Sequence, residues 1–167
     1  AGVTAGVAGV PTDSQAPVTA SAAGTYTARR FVVDGAGRII QIPGNNPQII
    51  SSVQLAGALA FADGGFGLSR PITGSFAIVE RNPKYREFVV GVNPTQSGYE
   101  AVADSMGPAV IPSIAAYTVT RMHVDSKTLP PGFDLGPSSY DLWPGYKSGH
   151  RVSVGTSATI FLSGRIV

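Results

Sequence analysis

No window of this chain carries apolar residues at i, i+3, i+4 and i+7 for three helical turns, and Pro or Gly interrupts most stretches long enough to try. With 21 Gly and 13 Pro in 167 residues, that punctuation leaves strands and turns. Segments rich in Val, Ile, Phe, Tyr and Thr sit between Gly, Pro, Asn and Ser clusters at close spacing, which is the pattern of an antiparallel sandwich or barrel. The expected class is therefore all-β. The length suits one ordinary domain, or one sandwich-sized module with an extra segment that need not fold by itself.

Composition narrows the partners. The chain is 43% apolar and 13% charged, about half the charged share of an average soluble domain, and its mean hydropathy is positive. No run of about 18 apolar residues occurs, which excludes a transmembrane helix on length but leaves transmembrane strands open. The net charge is +2 and the basic residues are scattered singly apart from Arg29-Arg30, so there is no electrostatic footprint for nucleic acid. The absence of cysteine removes disulfide frameworks, thiolate metal sites and Cys nucleophiles. The opening AGVTAGVAGV has no initiating Met, basic segment or long apolar run, and reads as a mature or excised fragment.

Residues 1–23 hold almost no side chain large enough to fill a core, which predicts a mobile segment or a strand in another sheet. The stretch TYTARRFVVDGAGRIIQI predicts two strands joined across Asp34-Gly35-Ala36-Gly37, because an Asp-Gly pair suits the positive φ of a hairpin turn. In residues 51–62, SSVQLAGALAFA, Val53, Leu55, Leu59 and Phe61 fall on one strand face, while Gln54, Ala56, Ala58, Ala60 and Ala62 fall on the other. Two readings fit: a sandwich strand with an Ala-rich solvent face, or a membrane-barrel strand with lipid on its large face and a lumen on its small one. The glycine-rich ADGGFG, 62–67, opens no helix and reads as a hairpin connection rather than a phosphate cradle.

From Arg70 onward prolines cut the chain into short pieces, with candidate strands at 75–80, 87–92, 98–103, 117–125, 150–155 and 157–166. Six or seven strands in about 95 residues is the size of an immunoglobulin-like sandwich, and the domain boundary falls near 69–73.

Reactive chemistry is sparse. His123 and Asp125 share a strand face but lack an evident third ligand, and His150 lies beside Arg151, which disfavours a bound cation. No metal site is assigned. Only two His are present and no G-x-S-x-G turn surrounds any Ser, which argues against a nucleophile with its base. Asp104, Asp125, Asp134 and Asp141 would make a glycosidase-like site if paired in space, but Asp in Pro/Gly-rich segments more often fixes turns. No catalytic, cofactor-binding or metal residue and no small-molecule substrate is therefore expected. Trp143 reads as the aromatic plug of a small core, against the alternative that it forms, with Tyr117, Phe133, Tyr140 and Tyr146, a stacking platform for carbohydrate or a hot spot for a protein.

The run Arg70-Pro71-Ile72-Thr73-Gly74-Ser75-Phe76-Ala77-Ile78-Val79 resembles a signature that follows the last barrel strands of outer-membrane ushers in the chaperone–usher pilus (fimbrial) assembly pathway. Further elements come in that family's order. They are Tyr99-Glu100-Ala101, Asp104, Gly107-Pro108-Ala109, Ile111-Pro112, Tyr117, His123-Val124-Asp125, Leu129-Pro130-Pro131-Gly132-Phe133-Asp134, and Pro144 with Lys147-Ser148-Gly149. The resemblance covers roughly 53–167, and a complete usher is several-fold longer. It implies an immunoglobulin-like β-sandwich preceded by strands of a transmembrane β-barrel: residues 1–69 as terminal barrel strands, 70–155 as a C-terminal sandwich domain, and 156–167 as the lead-in to a following domain. It further implies that Val53, Leu55, Leu59 and Phe61 face outer-membrane lipid, that the sandwich is periplasmic in a Gram-negative bacterium, and that the partners are a periplasmic pilus chaperone and pilus subunits, with no cofactor. The competing expectation is a freestanding adhesive or carbohydrate-binding sandwich, in which residues 1–69 fold in water with the rest.

Overall fold

The computed structural model describes residues 2–8, 17–130 and 133–155. Twelve strands account for the regular structure: β1 Gly2–Ala8, β2 Val18–Thr27, β3 Phe31–Gln41, β4 Gln48–Ala62, β5 Gly65–Ser69, β6 Ser75–Arg81, β7 Val90–Thr95, β8 Gly98–Ala103, β9 Ala109–Ile114, β10 Thr120–Asp125, β11 Ser139–Leu142 and β12 Gly149–Val154. A single 3-10 turn, Pro83–Tyr85, separates β6 from β7. The protein is all-β, in several sheets, and no sheet among the described residues closes into a barrel. The chain divides into two compact units, Ala1–Gly57 and Ala58–Val167.

The first unit is an antiparallel meander. β1 pairs with β2, β2 with β3, and β3 with β4 from Phe31 opposite Gly57 to Ile40 opposite Gln48. The expected turn at Asp34–Gly37 is corrected. β3 runs unbroken through Gly35 and Gly37, neither of which has positive φ, and the β2–β3 turn lies at Ala28–Arg30, closed by Ala28 N–H donating to the Phe31 carbonyl at 2.9 Å. The Asp-Gly pair is overridden because β3 is flanked on both sides: Asp34 stands opposite Thr25 and Gln54 at once, and its carboxylate accepts the Thr25 hydroxyl at 2.7 Å. Two neighbouring ladders hold a segment extended against a local turn preference. Within residues 1–23, β1 and β2 pair with each other inside this sheet.

The second unit has two sheets sharing one core, an arrangement compatible with a β-sandwich. The first has the order β11-β10-β7-β8 and the second β12-β6-β9, with β12 parallel to β6. All seven strands send side chains into one buried cluster, including Ala77 and Val79 of β6, Val90 and Val92 of β7, Ile111 of β9, Met122 and Val124 of β10, Leu142 of β11 and Val154 of β12. β6 is buried on both faces: Ile78 and Phe76 point the other way, toward Ala60, Ala62 and Val110. That explains why SFAIVE reads as a near-continuous apolar run rather than an alternating one.

The second face of β6 is covered by the hairpin formed by the end of β4 and β5, in which Ala60 pairs with Gly67 and Ala62 with Gly65. This hairpin turns at Asp63-Gly64, both at positive φ. Its small residues allow close approach: a Cβ at Gly67 would lie 2.6 Å from Val110 Cγ2, and one at Gly149 of β12 would lie 2.5 Å from Phe76 Cζ and 2.8 Å from Ala62 Cβ. Arg151 fastens the turn, donating from Nη1 to the Asp63 carbonyl at 3.0 Å while Nη2 and Nε bond Glu80 Oε2 at 2.6 and 2.9 Å. The expected boundary near 69–73 would group residues 58–69 with the upstream strands; in the structure these residues pack with the second unit.

Within that unit, candidate strand 98–103 coincides with β8, and the strands at 75–80, 117–125 and 150–155 lie within a few residues of β6, β10 and β12. The strand expected at 87–92 begins at Val90, because the 3-10 turn and Arg86–Val89 occupy the preceding positions. β9 and β11 were not anticipated: β9 contains Pro112, which argues against a central strand, and β9 lies at the end of its sheet. Candidate strand 157–166 and the lead-in at 156–167 lie outside the described residues. Trp143 does not fill the core; its side chain is exposed. The centre is lined by Ala, Val and Ile with Met122 and Leu142, and the buried aromatic is Tyr85, whose hydroxyl donates to the Asp134 carbonyl at 2.8 Å and whose ring packs edge-on to Phe133 at 6.0 Å.

Candidate membrane-facing sheet and exposed side-chain clusters

The strand period sorts the first unit into two unlike faces. On one, Tyr26, Phe31, Val33, Ile39, Ile49, Val53 and Leu55 stand in register across β2, β3 and β4. On the other lie Ser21, Thr25, Asp34, Ala36, Arg38, Ser52 and Gln54 together with the apolar Val32, Ile40 and Ile50, and two shallow concavities open on it. Asp34 and Arg38, the charged residues of β2 to β4, both lie on this second face. Tyr26 and Phe31 close the hairpin end of the apolar face with ring centroids 6.3 Å apart.

Among residues 17–57 not one is buried. A single sheet with both faces open is marginal in water, because a hydrophobic face must cover something to stabilise the fold. Val53 and Leu55 are 78% and 74% exposed, and Leu59 and Phe61, which continue the alternation into the second unit, are 66% and 69% exposed. All four expected lipid-facing residues therefore share one strand face and point away from the chain's own cores. In the second unit Leu59 pairs with Leu68 and Phe61 with Phe66, and all four are exposed. The small face expected to look into a lumen behaves differently in this hairpin: Ala60 and Ala62 are buried against Ile78.

At about 3.3 Å per residue, β2 and β3, with 10 and 11 residues, extend over roughly 33–36 Å, the length of about 9–11 residues that a tilted strand needs to cross a bilayer core. No described helix is long and apolar enough to cross a membrane.

The residues weighed for catalysis separate. Asp104 Oδ1 accepts from Met106 N–H at 2.9 Å and Asp134 Oδ1 from Gly136 N–H at 2.9 Å, the Asx-turn role expected of Asp in such segments. Asp141 pairs with Arg121 at 2.7 and 3.0 Å on the exposed surface. That hydrogen bond, ahead of the guanidinium and His123 charges, holds the Asp141 carboxyl below the usual carboxylate range. Such an exposed pair contributes little to stability. Asp125 accepts the Tyr99 hydroxyl at 2.7 Å, and His123 presents its backbone N–H to Asn93 Oδ1 at 2.9 Å. His123 and Asp125 do share the outward face of β10, but among the described residues no group of three or more His, Asp or Glu side chains is placed to hold a metal.

Partial burial of the Tyr99 ring, together with the Asp125 hydrogen bond and charge, pushes its hydroxyl up to about 12. Because the folded pKa is raised above the ordinary value near 10, the contribution is complete below pH 10 and lost as pH rises toward 12. Tyr99→Phe is therefore expected to flatten the fall in stability across that window, read by denaturant midpoints at successive pH values, and to leave the midpoint's pH dependence below pH 9 unaltered.

Sequence reading missed the reverse face of β2 and β3. VTASAAGTYT alternates only weakly because its residues are small, and only the register with β3 shows which of them share a face. Comparison with protein families and with curated proteins found no family model and no curated protein that matches the chain.

Proposed function

We propose that this chain is part of an outer-membrane usher that recruits periplasmic chaperone–subunit complexes and assembles and secretes pilus subunits. In this reading β1 to β4 are strands of a transmembrane β-barrel, with Val53, Leu55, Leu59 and Phe61 toward lipid. Strands β6 to β12 form an immunoglobulin-like sandwich on the periplasmic side. The work is protein recognition: subunits join when one strand replaces another at a sheet edge, so the chain makes no covalent bond and needs no cofactor.

The observation that carries the reading is the first unit's sheet, which has no buried residue in 17–57, leaves Tyr26, Phe31, Val33, Ile39, Ile49, Val53 and Leu55 open on a face without charge, and confines Asp34 and Arg38 to the other face, which also carries Val32, Ile40 and Ile50. Water is a poor solvent for the first face, whereas lipid outside and a polar lumen inside would satisfy both. A second reading, a freestanding adhesive or carbohydrate-binding sandwich, draws support from the exposed Tyr117, Trp143 and Tyr146. The chain has no cysteine, so single cysteines at positions 52 to 55 give clean labelling sites. With an environment-sensitive label and vesicles of acyl-brominated lipid, the usher reading expects quenching at 53 and 55 and little at 52 and 54. Equal quenching at all four, or a full chain that stays soluble and monomeric without lipid or detergent, would falsify it.

A further inference from the structure

Two loops at one end of the second unit expose a cluster of aromatic side chains. Tyr117 belongs to the β9–β10 connection, and Trp143 and Tyr146 to the β11–β12 connection; they are 72%, 71% and 68% exposed, with Val119 exposed beside them. The loops are tied together: Tyr117 N–H donates to the Pro144 carbonyl at 2.8 Å, and Pro144 itself is fully buried. The second loop is pinned again at Gly145, whose carbonyl accepts the Ser75 hydroxyl at 2.6 Å and the Ser148 hydroxyl at 2.9 Å. Tyr117 and Lys147 hold left-handed backbone at φ 58° and 51°. Such conformations persist only where the surroundings enforce them, and they concentrate at functional sites. The rings are thus presented by a fixed frame rather than by free loops.

The charge of this end selects the occupant. Residues 113–119 and 142–150 contain no Asp or Glu, while Lys147 is exposed with its Nζ 5.4 Å from the Tyr146 ring centroid. Trp and Tyr rings with a polar edge, a neighbouring Lys on an apolar stem and a nearest carboxylate in sequence, Asp141, that is already paired with Arg121 match the chemistry of a bilayer interface carrying anionic headgroups. Gly149, two residues beyond Lys147, packs on Ala62 of the β4–β5 hairpin, whose opposite face exposes Leu59, Phe61, Phe66 and Leu68.

We infer that the second unit has a membrane-interface contact of its own, in which Tyr117, Trp143 and Tyr146 rest in the headgroup layer of an anionic bilayer and Lys147 pairs with its phosphates. This deepens the membrane assignment above but does not require β1 to β4 to be barrel strands.

Trp143 is the chain's only tryptophan, so its emission reports this site in the unmodified full chain. Vesicles containing phosphatidylglycerol should shift that emission to the blue and allow quenching by bromines at shallow acyl positions; neutral phosphatidylcholine vesicles should act more weakly, and added salt should reverse the difference. Lys147→Ala should raise the lipid concentration for half-maximal shift about five-fold, and Tyr117→Ser with Tyr146→Ser should abolish the shift, with strand content unchanged by circular dichroism because all three side chains are exposed. An unshifted Trp143 in vesicles that do quench a label at residue 53 overturns this inference and leaves the barrel reading standing. A shifted Trp143 with an unquenched label at 53 supports the inference and removes the barrel. A blue shift that follows protein concentration without lipid also overturns it, assigning the cluster to contact between copies.

Discussion

Arginine at Val53 or Leu55 should weaken transfer of the full chain into lipid vesicles by roughly 30- to 700-fold each, the equivalent of about 2–4 kcal/mol for a cation on the lipid face of a membrane strand. Arginine at Ser52 or Gln54, one position away on the same strand, should change it little. The contrast follows from the strand period alone, because residues 53 and 55 share the face of Ile39 and Tyr26, whereas 52 and 54 share that of Asp34 and Arg38. Flotation of vesicles with bound protein gives the partition directly. All four positions are exposed, so none of the substitutions opens a core, and a loss at 53 cannot be ascribed to unfolding if circular dichroism is preserved. Equal losses at 52 and 53, or none at either, would mean that neither face meets lipid.

Ile78→Ala should be the most damaging single truncation in the second unit. Ile78 is fully buried and lies between the β12-β6-β9 sheet and the small face of the hairpin, against Ala60, Ala62 and Val110. Small neighbours cannot move in to refill the space, so the cost should lie near the upper part of the roughly 2–5 kcal/mol range for Ile→Ala in cores. For a unit of this size that lowers the melting temperature on the order of 10 °C or more. Amide exchange at Ala60 and Gly67 should quicken beyond the rest of the unit, because the hairpin is held there by packing and, at its turn, by Arg151. Leu68→Ala, on the exposed side of the same hairpin, should leave the melting temperature almost unchanged in water. If the two substitutions cost the same, the hairpin is not a third layer of this unit.

The two expectations read different depths of the same alternation. In 51–62 it was visible from residue types, since Val53, Leu55, Leu59 and Phe61 are large and their neighbours small, and all four emerge on one exposed face. What the pattern left open was the opposite face. Up to Ala56 it carries polar and small groups in the open; at Ala60 and Ala62 it becomes a buried contact with Ile78. An alanine-rich face suits a lumen, a solvent face or a close-packed layer equally well, and only the approach of β6 decides among them.

Trp143 and the Asp34-Gly35 pair failed for related reasons. A large aromatic is worth burying only where there is room, and the core between the two sheets is already filled by aliphatic side chains and Met122, leaving Tyr85 as the buried ring at its margin. An Asp-Gly turn is a local preference worth little once ladders form on both sides of the segment, as they do along β3.

Residue order by itself determined the class: frequent Gly and Pro, with β-branched and aromatic runs between them, rule out helices because helical periodicity never survives three turns. It also determined which side of β4 is greasy, since the two-residue repeat of a strand is a property of the backbone. Pairing, layer order and exposure were decided by tertiary structure, because each depends on which distant segment arrives alongside: β12 parallel to β6, the hairpin over Ile78, and Pro144 bound to Tyr117. Such meetings are set by the summed packing of many residues, and no short stretch of chain holds enough of that sum to reveal it.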